Sequence, residues 1–288
     1  MGHGARRWLI GIGSAAVVGA TALSLAPLAA ASADSLHLTA GQAVKAVQAA
    51  AAEPGSVYVP TSQTLTFGMH DNAVKRLQER LNYLHYYAGK PDGYFGWDTM
   101  EAVWAFKEVQ SEQAEPRDPD TVGPAMQRQL VDPKLPRVLV RHARWSRIEV
   151  NKNIGVLVVY HDTKILLISH VSTAAYCRPD GCGWVTPDGT YRAWEYIPGC
   201  VPDASFGGCL YNPVFFIGTT FAIHGMPNPT ATFGPDGVPL NAASHGCVRI
   251  PLDISGFLHT LINVNATNGT LIYIIGNDQD DSGVFGSG

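Results

Sequence analysis

The hydrophobic pattern of the chain changes near Pro133, and this change limits the folds that the sequence can adopt. From residue 65 to residue 132, apolar residues such as Val74 and Leu77 recur at the three- and four-residue spacing of amphipathic helices. From residue 137 to residue 276, short β-branched and aromatic segments alternate with turn residues. The sequence therefore predicts two domains, a small three-helix bundle followed by a β-rich sandwich or barrel.

Local signals place individual elements within the two domains. The first helix is predicted around residues 74–84, and a third, short helix near residues 125–130. Between them, Asp98 and Glu101 form a capping-box pattern that predicts the start of the second helix. In the second domain one helix is predicted with Pro251 in its first turn. Strands are predicted at residues 147–150, 155–160, 165–171, 191–196, 214–217, 222–224 and 271–275.

The first 33 residues have the three-part pattern of a secretory signal peptide. A basic start with Arg7 precedes an apolar stretch, and the small residues 31–33 predict cleavage before Asp34. An uncleaved membrane anchor is the alternative, because the apolar stretch is nearly long enough to span a bilayer. Cleavage is favoured, so the sequence predicts a secreted protein with no stable membrane span.

Composition separates the two domains from their flanks and narrows the choice of partners. Residues 34–64 are interpreted as a linker with little fold of its own, and residues 277–288 as a mobile tail rich in Gly, Ser and Asp. The formal net charge of −4 gives no long-range attraction to polyanions, and no stripe of Lys and Arg with interleaved aromatics is present. The sequence therefore argues against nucleic acid as a partner.

The chain has five cysteines, and an odd count in an exported protein singles one out. Cys177 with Cys182 and Cys200 with Cys209 form two short-range pairs in segments rich in Gly, Pro and Asp, where disulfides stabilise loops. This pairing is the simplest of three connectivities. A metal site built from the same four thiols is the alternative, but the spacings exceed those of the usual metal knuckle. Disulfides are favoured, which leaves Cys247 outside both pairs.

Cys247 has a chemical partner in His224. The thiolate is the form of cysteine that attacks a carbonyl carbon, and an imidazole in contact can take the thiol proton or hold the thiolate as an ion pair. His224 closes an apolar strand, and a loop rich in Gly, Pro and Asn at residues 225–243 can return the chain to Cys247. By spacing alone, a cysteine and a histidine at this separation are a weak signal.

The sequence around these two residues resembles the catalytic domain of YkuD-type L,D-transpeptidases over residues 137–276. The central run of the resemblance is Ser244-His245-Gly246-Cys247-Val248-Arg249. Further matching runs are Ile223-His224-Gly225, Asn228-Pro229, residues 186–191 and residues 269–274. Some members of the family carry Ser directly after the first histidine, whereas Gly225 stands at that position here.

The resemblance implies a β-rich, L,D-transpeptidase-like sandwich with a cysteine acyltransferase site. Cys247 is the expected nucleophile, His224 the expected general acid and base, and His245 a support for the site. Gly246 is expected to supply an oxyanion hole, because a glycine lets backbone N–H groups approach a reacting carbonyl. Such a site requires no cofactor and no metal.

Two further residues of the matched run are expected to bind substrate. Ser244 is interpreted as a local hydrogen-bonding element. Arg249 is interpreted as a clamp on a substrate carboxylate or as a brace of the loop, since a guanidinium suits both. A plain surface ion pair is the alternative for Arg249. The aromatic residues of the β-rich domain, Trp184 among them, are interpreted as core, because aromatic residues in such a domain usually are. A position in the lining of a substrate groove is the alternative.

A second resemblance covers residues 65–132. The stripe around Gln78, the loop Asp92-Gly93-Tyr94-Phe95-Gly96 and the segment from Thr99 to Phe106 are similar to the peptidoglycan-binding domain of the three-helix type. The resemblance implies a domain that holds the enzyme on the cell wall, with peptidoglycan stem peptides and glycan as partners. The alternative is that these residues only build a small helical core.

Together, the two resemblances imply a secreted cell-wall enzyme of peptidoglycan synthesis, wall biogenesis and cell shape. Cys247 would attack the carbonyl of the third residue of a tetrapeptide stem and expel D-alanine. The amine of a neighbouring stem would then resolve the thioester and give a 3-3 cross-link. An L,D-carboxypeptidase, in which water takes the acyl group, and a non-catalytic wall-binding protein are the alternatives.

Overall fold

The computed structural model describes residues 58–114, 116, 118–178, 181–203, 208–225 and 238–278. For Cys177, Arg178, Gly181, Cys182 and Asp203 it describes the backbone alone. The predicted signal peptide, most of the predicted linker and the run Asn228-Pro229 lie outside the described residues. Among the described helices, none has the length and apolar character needed to cross a membrane.

The described part of residues 65–132 contains three helices and a two-stranded antiparallel sheet. Asp71 caps the first helix, because its carboxylate accepts a hydrogen bond from the N–H of Ala73 at 2.6 Å. The same helix buries Val74, Leu77 and Leu81, as its periodicity predicts. The elements are β1 (Leu65–Thr66), α1 (Asn72–Tyr83), α2 (Trp97–Ser111), β2 (Thr121–Val122) and α3 (Pro124–Gln129).

Helix α2 differs from its prediction at its start. It begins at Trp97, with Gly96 at the N-cap and no capping side chain, so the interpretation of Asp98 and Glu101 as a capping box is wrong. The carboxylate of Glu101 is buried and accepts a hydrogen bond from the N–H of Val238 instead. The physical reason is that most residues of α2 are buried. A polar side chain in its first turns therefore forms a hydrogen bond with a residue that is distant in the sequence.

The end of the predicted linker is part of the helical domain. Gln127 of α3 accepts hydrogen bonds from the N–H of Thr61 at 2.7 Å and from the hydroxyl of Tyr58 at 3.3 Å. It also donates to the carbonyl of Gln63 at 2.6 Å. Tyr58 is 6% exposed, and burial raises its pKa to about 12. The assignment of residues 58–63 to a linker with little fold of its own is therefore wrong.

The described part of residues 137–278 forms two five-stranded sheets, a two-stranded ribbon and one helix. The elements of the first sheet are β3 (Arg147–Asn151), β4 (Val156–His161), β5 (Lys164–His170), β8 (Gly189–Arg192) and β14 (Leu271–Ile275). The ribbon is β6 (Cys177–Arg178) with β7 (Gly181–Cys182), and the helix is α4 (Leu252–Leu261). The second sheet contains β9 (Glu195–Tyr196), β10 (Cys200–Asp203), β11 (Gly208–Ile217), β12 (Phe221–Gly225) and β13 (Val248–Ile250).

The two larger sheets pack around one apolar core. Their strand orders are β5-β4-β3-β14-β8 and β10-β11-β12-β13, with β9 paired to β11. Ile148 contributes to the core from the first sheet, and Ile223 and Val248 contribute from the second. Helix α4 adds Ile254 and Leu258, which the periodicity places on its inner face. This architecture confirms the predicted β-rich sandwich.

Strand β4 is buried on both faces and joins the two domains. Leu157 and Val159 point into the core of the sandwich. The alternate residues Val156, Val158 and Tyr160 belong to the core of the helical domain, together with side chains of α1 and α2. The helical domain therefore packs directly on the outer face of the first sheet.

The predicted strand at residues 191–196 is divided between the two sheets. Tyr191 lies in β8 of the first sheet, whereas Tyr196 lies in β9 of the second. Ala193 is fully buried at the crossing, and its N–H donates to the carbonyl of Thr270 at 3.0 Å. The local sequence does not predict this change of sheet, because residues 191–196 are strand-forming throughout. The change depends on contacts with distant residues such as Thr270.

The predicted mobile tail begins later than residue 277. The N–H of Asn277 donates to Oδ1 of Asn153 at 2.9 Å. The carboxylate of Asp278 accepts from Nζ of Lys152 at 3.0 Å and from the N–H of Thr186 at 3.1 Å. These two residues therefore belong to the β-rich domain, and the rest of the predicted tail lies outside the described residues.

We expect the substitution Gln127→Leu to lower the free energy of unfolding by about 2 kcal/mol, because it removes the hydrogen bonds to the backbone of Thr61, Gln63 and Val122. Gln129→Leu is the matched control, since Gln129 is exposed in the same helix. We expect the control to change the free energy by less than about 0.5 kcal/mol. Urea denaturation followed by circular dichroism measures both. Equal losses in the two variants would contradict the role assigned to Gln127.

Candidate active site

A cleft of about 720 Å³ lies beside strands β12 and β13. Residues predicted for the site from the sequence line this cleft, namely His224, Ser244, His245, Cys247 and Arg249. The structure therefore brings the predicted residues together in one place, although they come from two separate runs of the sequence.

The pairing of β12 with β13 explains why these side chains share a face. The two strands are parallel, with Ile223 beside Val248 and His224 beside Arg249. Side chains alternate along a strand and partner residues on neighbouring strands point the same way, so Arg249 and His224 project to one side. Cys247 directly precedes β13 and lines the same cleft. Ile223 and Val248, on the opposite side, are fully buried in the core.

His224 is buried, and its ring is oriented by the backbone. Nδ1 lies 2.9 Å from the carbonyl oxygen of Gly225. A carbonyl oxygen only accepts hydrogen bonds, so Nδ1 carries the proton in this contact. In the neutral imidazole Nε2 then holds the lone pair, which is the arrangement that a general base needs.

The loop that carries Cys247 is closed by the hydroxyl of Ser244. Ser244 Oγ donates to the carbonyl of Cys247 at 2.6 Å and accepts from the N–H of Gly246 at 3.0 Å. Gly246 has a φ of +142°, and a Cβ at this position would overlap the ring of Phe221. Only glycine fits this place. The N–H of Gly246 is directed at Ser244 here, so its predicted role in an oxyanion hole stays a prediction.

Gly225 marks the departure from family members that carry Ser after the first histidine. A Cβ at Gly225 would overlap the side chain of Ser255 and would lie 3.0 Å from Cδ1 of Leu252, both on α4. The contact that orients His224 comes from the carbonyl of Gly225, which any residue supplies. A hydroxyl at this position is therefore excluded by packing, while the orienting contact is kept.

Trp184 and Thr220 also line the cleft, beside the residues predicted for the site. Trp184 lines the cleft, so its favoured interpretation as core is wrong and the alternative of a groove position is correct. Its ring meets that of His245 edge-on, with centroids 4.5 Å apart. The carbonyl of Thr220 lies 3.7 Å from Sγ of Cys247. Trp184 stands in a segment rich in Gly, Pro and Cys, and this composition is the signal that could have placed it at a surface cleft. In the part of the chain that the structure describes, no group of three or more His, Cys, Asp or Glu residues is placed to hold a metal ion.

Comparison with known families agrees with this geometry. Residues 146–274 match the L,D-transpeptidase catalytic domain family, YkuD, and residues 70–111 match the peptidoglycan binding domain family PG_binding_1. The chain carries a YkuD-type L,D-transpeptidase catalytic domain. With the peptidoglycan-binding domain before it, the chain is a peptidoglycan-modifying enzyme.

A solved structure of an L,D-transpeptidase resembles the fold. The structure of residues 123–326 of the enzyme from Xylanimonas cellulosilytica is 25% identical, with a TM-score of 0.61, and all of that solved chain aligns with 75% of this chain. A second enzyme, from Stackebrandtia nassauensis, is 17% identical with a TM-score of 0.41, and 98% of it aligns with 76% of this chain. No curated protein sequence matches the chain.

The peptidoglycan-binding domain has its own ordered loop. The side-chain N–H₂ of Gln78 donates to Asp92 Oδ1 at 3.1 Å and to the carbonyl of Tyr94 at 2.9 Å. Its oxygen accepts from the N–H of Gly93 at 2.9 Å. The Tyr94 N–H and the Gln78 amide hold the pKa of the Asp92 carboxyl below its usual value. The loop named in the sequence resemblance is therefore built around one buried glutamine.

Of the two predicted disulfides, one is present among the described side chains. Cys200 of β10 and Cys209 of β11 are bonded, with Cα atoms 5.2 Å apart. In the ribbon, the backbones of Cys177 and Cys182 lie directly opposite each other. The side chains of this second pair lie outside the description, so their disulfide stays a prediction.

We expect Gly225→Ala to lower the free energy of unfolding of the transpeptidase by about 1–3 kcal/mol, because its methyl group overlaps α4 in a packed site. Gly256→Ala is the matched control. Gly256 lies in α4 with open space around it, so alanine is expected to stabilise the helix by up to about 1 kcal/mol. Thermal unfolding of both variants measures the difference. A Gly225→Ala variant as stable as the parent would refute the packing argument.

Proposed function

We propose that this chain is an exported cysteine acyltransferase that cross-links peptidoglycan stem peptides through a thioester on Cys247. The observation that carries the proposal is the placement of Cys247, His224 and Arg249 on one face of paired strands, lining one cleft of a YkuD-type domain. A thiol with a base beside it is the arrangement that acyl transfer through a cysteine needs, and a guanidinium binds carboxylates.

In the first half-reaction, Nε2 of His224 takes the thiol proton of Cys247, and Sγ attacks the carbonyl carbon of the third residue of a tetrapeptide stem. The tetrahedral intermediate then collapses. The C–N bond to the terminal D-alanine breaks, and the imidazolium of His224 gives its proton to the departing amine. The products are free D-alanine and an acyl-enzyme thioester.

In the second half-reaction, the side-chain amine of a neighbouring stem attacks the thioester carbon. Nε2 of His224 takes a proton from this amine as the C–N bond forms. The C–S bond breaks, and His224 returns the proton to Sγ of Cys247. The result is an amide between two third residues, the 3-3 cross-link, and the enzyme is restored.

The other predicted residues act by position. The hydroxyl of Ser244 fixes the turn before Cys247 through its two hydrogen bonds. His245 supports the wall of the cleft through its edge-on contact with Trp184. Gly246 lets the chain approach Phe221 closely, because a Cβ at this position would overlap the ring. Arg249 binds the carboxylate of the donor stem.

Two observations support export to the cell wall. Residues 1–33 have the pattern of a signal peptide. The bond between Cys200 and Cys209 belongs to a class that persists in oxidising compartments outside the cytosol.

We expect the mature protein, incubated with disaccharide tetrapeptide, to release D-alanine and to form a dimer cross-linked between third residues. Cys247→Ala is expected to give neither product, because no thioester can form. Mass spectrometry of the products measures both. A tripeptide product without dimer would identify the carboxypeptidase alternative. Absence of both products and of any acyl adduct on Cys247 would refute the proposed chemistry.

We expect Arg249→Lys to raise KM for the tetrapeptide donor by about tenfold while kcat changes less, because lysine keeps the charge but loses the bidentate fork. Arg192→Lys is the control, since Arg192 lies outside the cleft and bonds to the carbonyl of Gly269. Steady-state kinetics measure both variants. Alkylation of Cys247 by iodoacetamide should stay at the parent rate in Arg249→Lys, and a large change in this rate would show a brace of the loop instead.

A further inference from the structure

The segment that leads into the catalytic run is held by a series of buried hydrogen bonds. This segment, residues 238–243, ends directly before Ser244. Near its end, the N–H groups of Ala243 and Ser244 both donate to the carbonyl of Thr173 at 3.0 Å. In its middle, the carbonyl of Asn241 accepts from the hydroxyl of Ser172 at 2.8 Å. These contacts come from the catalytic domain itself.

The start of the same segment is held from the peptidoglycan-binding domain. The N–H of Val238 donates to Oε1 of Glu101, in helix α2, at 2.7 Å. The carbonyl of Pro239 accepts from Nε2 of His170 at 3.0 Å. Nδ1 of His170 in turn lies 2.8 Å from Oε1 of Glu108, also in α2. Two carboxylates of one helix therefore fix two consecutive residues of the segment, one directly and one through His170.

These carboxylates lie in the protein interior. Glu101 is 2% exposed, Glu108 is 0% exposed and His170 is 1% exposed. Removing an ionisable group from water carries a large cost unless it is paired and hydrogen-bonded, so such groups mark places where the contact itself matters. Glu101 and Glu108 are seven residues apart, two helical turns on one face of α2. That face is the one directed at residues 238–239.

The ring of His170 is oriented at both of its nitrogens. The carbonyl of Pro239 only accepts, so Nε2 donates the proton of that contact. Nδ1 forms a hydrogen bond with Oε1 of Glu108 at 2.8 Å. The edge of Trp104, one turn before Glu108 on α2, packs on the same ring with centroids 5.3 Å apart. Helix α2 thus determines where His170 points, and His170 determines where Pro239 lies.

We propose that Glu101 and Glu108 are positioning residues of the transpeptidase site, which set the path of residues 238–243 and thereby the place of Cys247. Neither side chain lines the cleft. Both act through the backbone that runs into Ser244. The inference rests on the proposed function, because kcat is measured for the proposed reaction. The placement of Cys247 is measured without a substrate, through its rate of alkylation.

The helical domain is then a structural part of the catalytic site as well as a wall-binding module. Displacement of a reacting group by about 1 Å can cost up to about a hundredfold in rate. A lost acceptor for the N–H of Val238 frees the start of the segment, while the contacts with Ser172 and Thr173 still hold its end. We therefore expect an intermediate loss of about tenfold.

The test compares three variants of the full mature chain. Glu101→Met removes the acceptor and keeps the length of the side chain, whereas Glu101→Gln keeps an acceptor oxygen. The matched control is Gln110→Met, because Gln110 is buried in the same helix and bonds to the backbone of Lys134 away from the segment. The measurements are kcat and KM for the tetrapeptide, the rate of alkylation of Cys247 by iodoacetamide, and the unfolding temperature.

We expect Glu101→Met to lower kcat and the alkylation rate by about tenfold with KM little changed. Glu101→Gln should recover both rates to within about twofold, and Gln110→Met should keep them even where its unfolding temperature falls as far. Parent rates in Glu101→Met, equal losses in Gln110→Met, or no recovery in Glu101→Gln each overturn the proposal.

One replacement variant and one further readout complete the experiment. If Glu101→Met does not fold, Glu101→Asp replaces it, because a carboxylate drawn back by one methylene weakens the contact without removing the charge; parent rates in that variant overturn the proposal. If the parent protein alkylates at Cys247 but gives no peptide product, the proposed function fails while the alkylation rates still decide the role of Glu101.

Discussion

The site depends on the parallel pairing of β12 with β13. This register places His224 and Arg249 side by side and brings Cys247 to the same cleft. Because side chains alternate along a strand, a slip of one residue would turn the reactive groups into the core and the apolar ones into the cleft. Burial of Ile223 and Val248 in the sandwich core opposes such a slip. Burial of the apolar face of these two strands therefore keeps the reactive side chains of the other face in the cleft.

Elements with a strong local pattern were predictable from the sequence. Helix α1 follows a clear apolar stripe, and strands β3, β4 and β14 lie within a residue or two of their predicted ranges, because local periodicity and burial agree there. Strand β13 was not predicted, since it has three residues and forms only by pairing with β12. Cys247 and His224 were found through their matched runs, whereas spacing alone gave only a weak signal.

The errors share a physical cause, which is that the decisive partner lies far away in the sequence. The sequence predicts that Glu101 forms a capping box with Asp98, three residues before it, but Glu101 accepts a hydrogen bond from the N–H of Val238. Residues 58–63 read as linker because their partner, Gln127, lies more than sixty positions later. Trp184 read as core because an aromatic ring on a cleft wall and one in a core have the same local pattern. Local patterns carry no information about such partners.

Strand β4 holds the two domains together, because its residues belong to both cores. A module that only tethers an enzyme to a surface needs a polar, independent face and a soluble connection. Here alternate residues of one strand complete both cores, so helix α2 packs directly on the sheet. Under the proposed function, a ligand on the helical domain would be held at a fixed orientation to Cys247, and less orientational freedom would be lost when a stem peptide entered the cleft. The shared strand, rather than a linker, sets the orientation of the peptidoglycan-binding domain relative to the cleft of the catalytic domain.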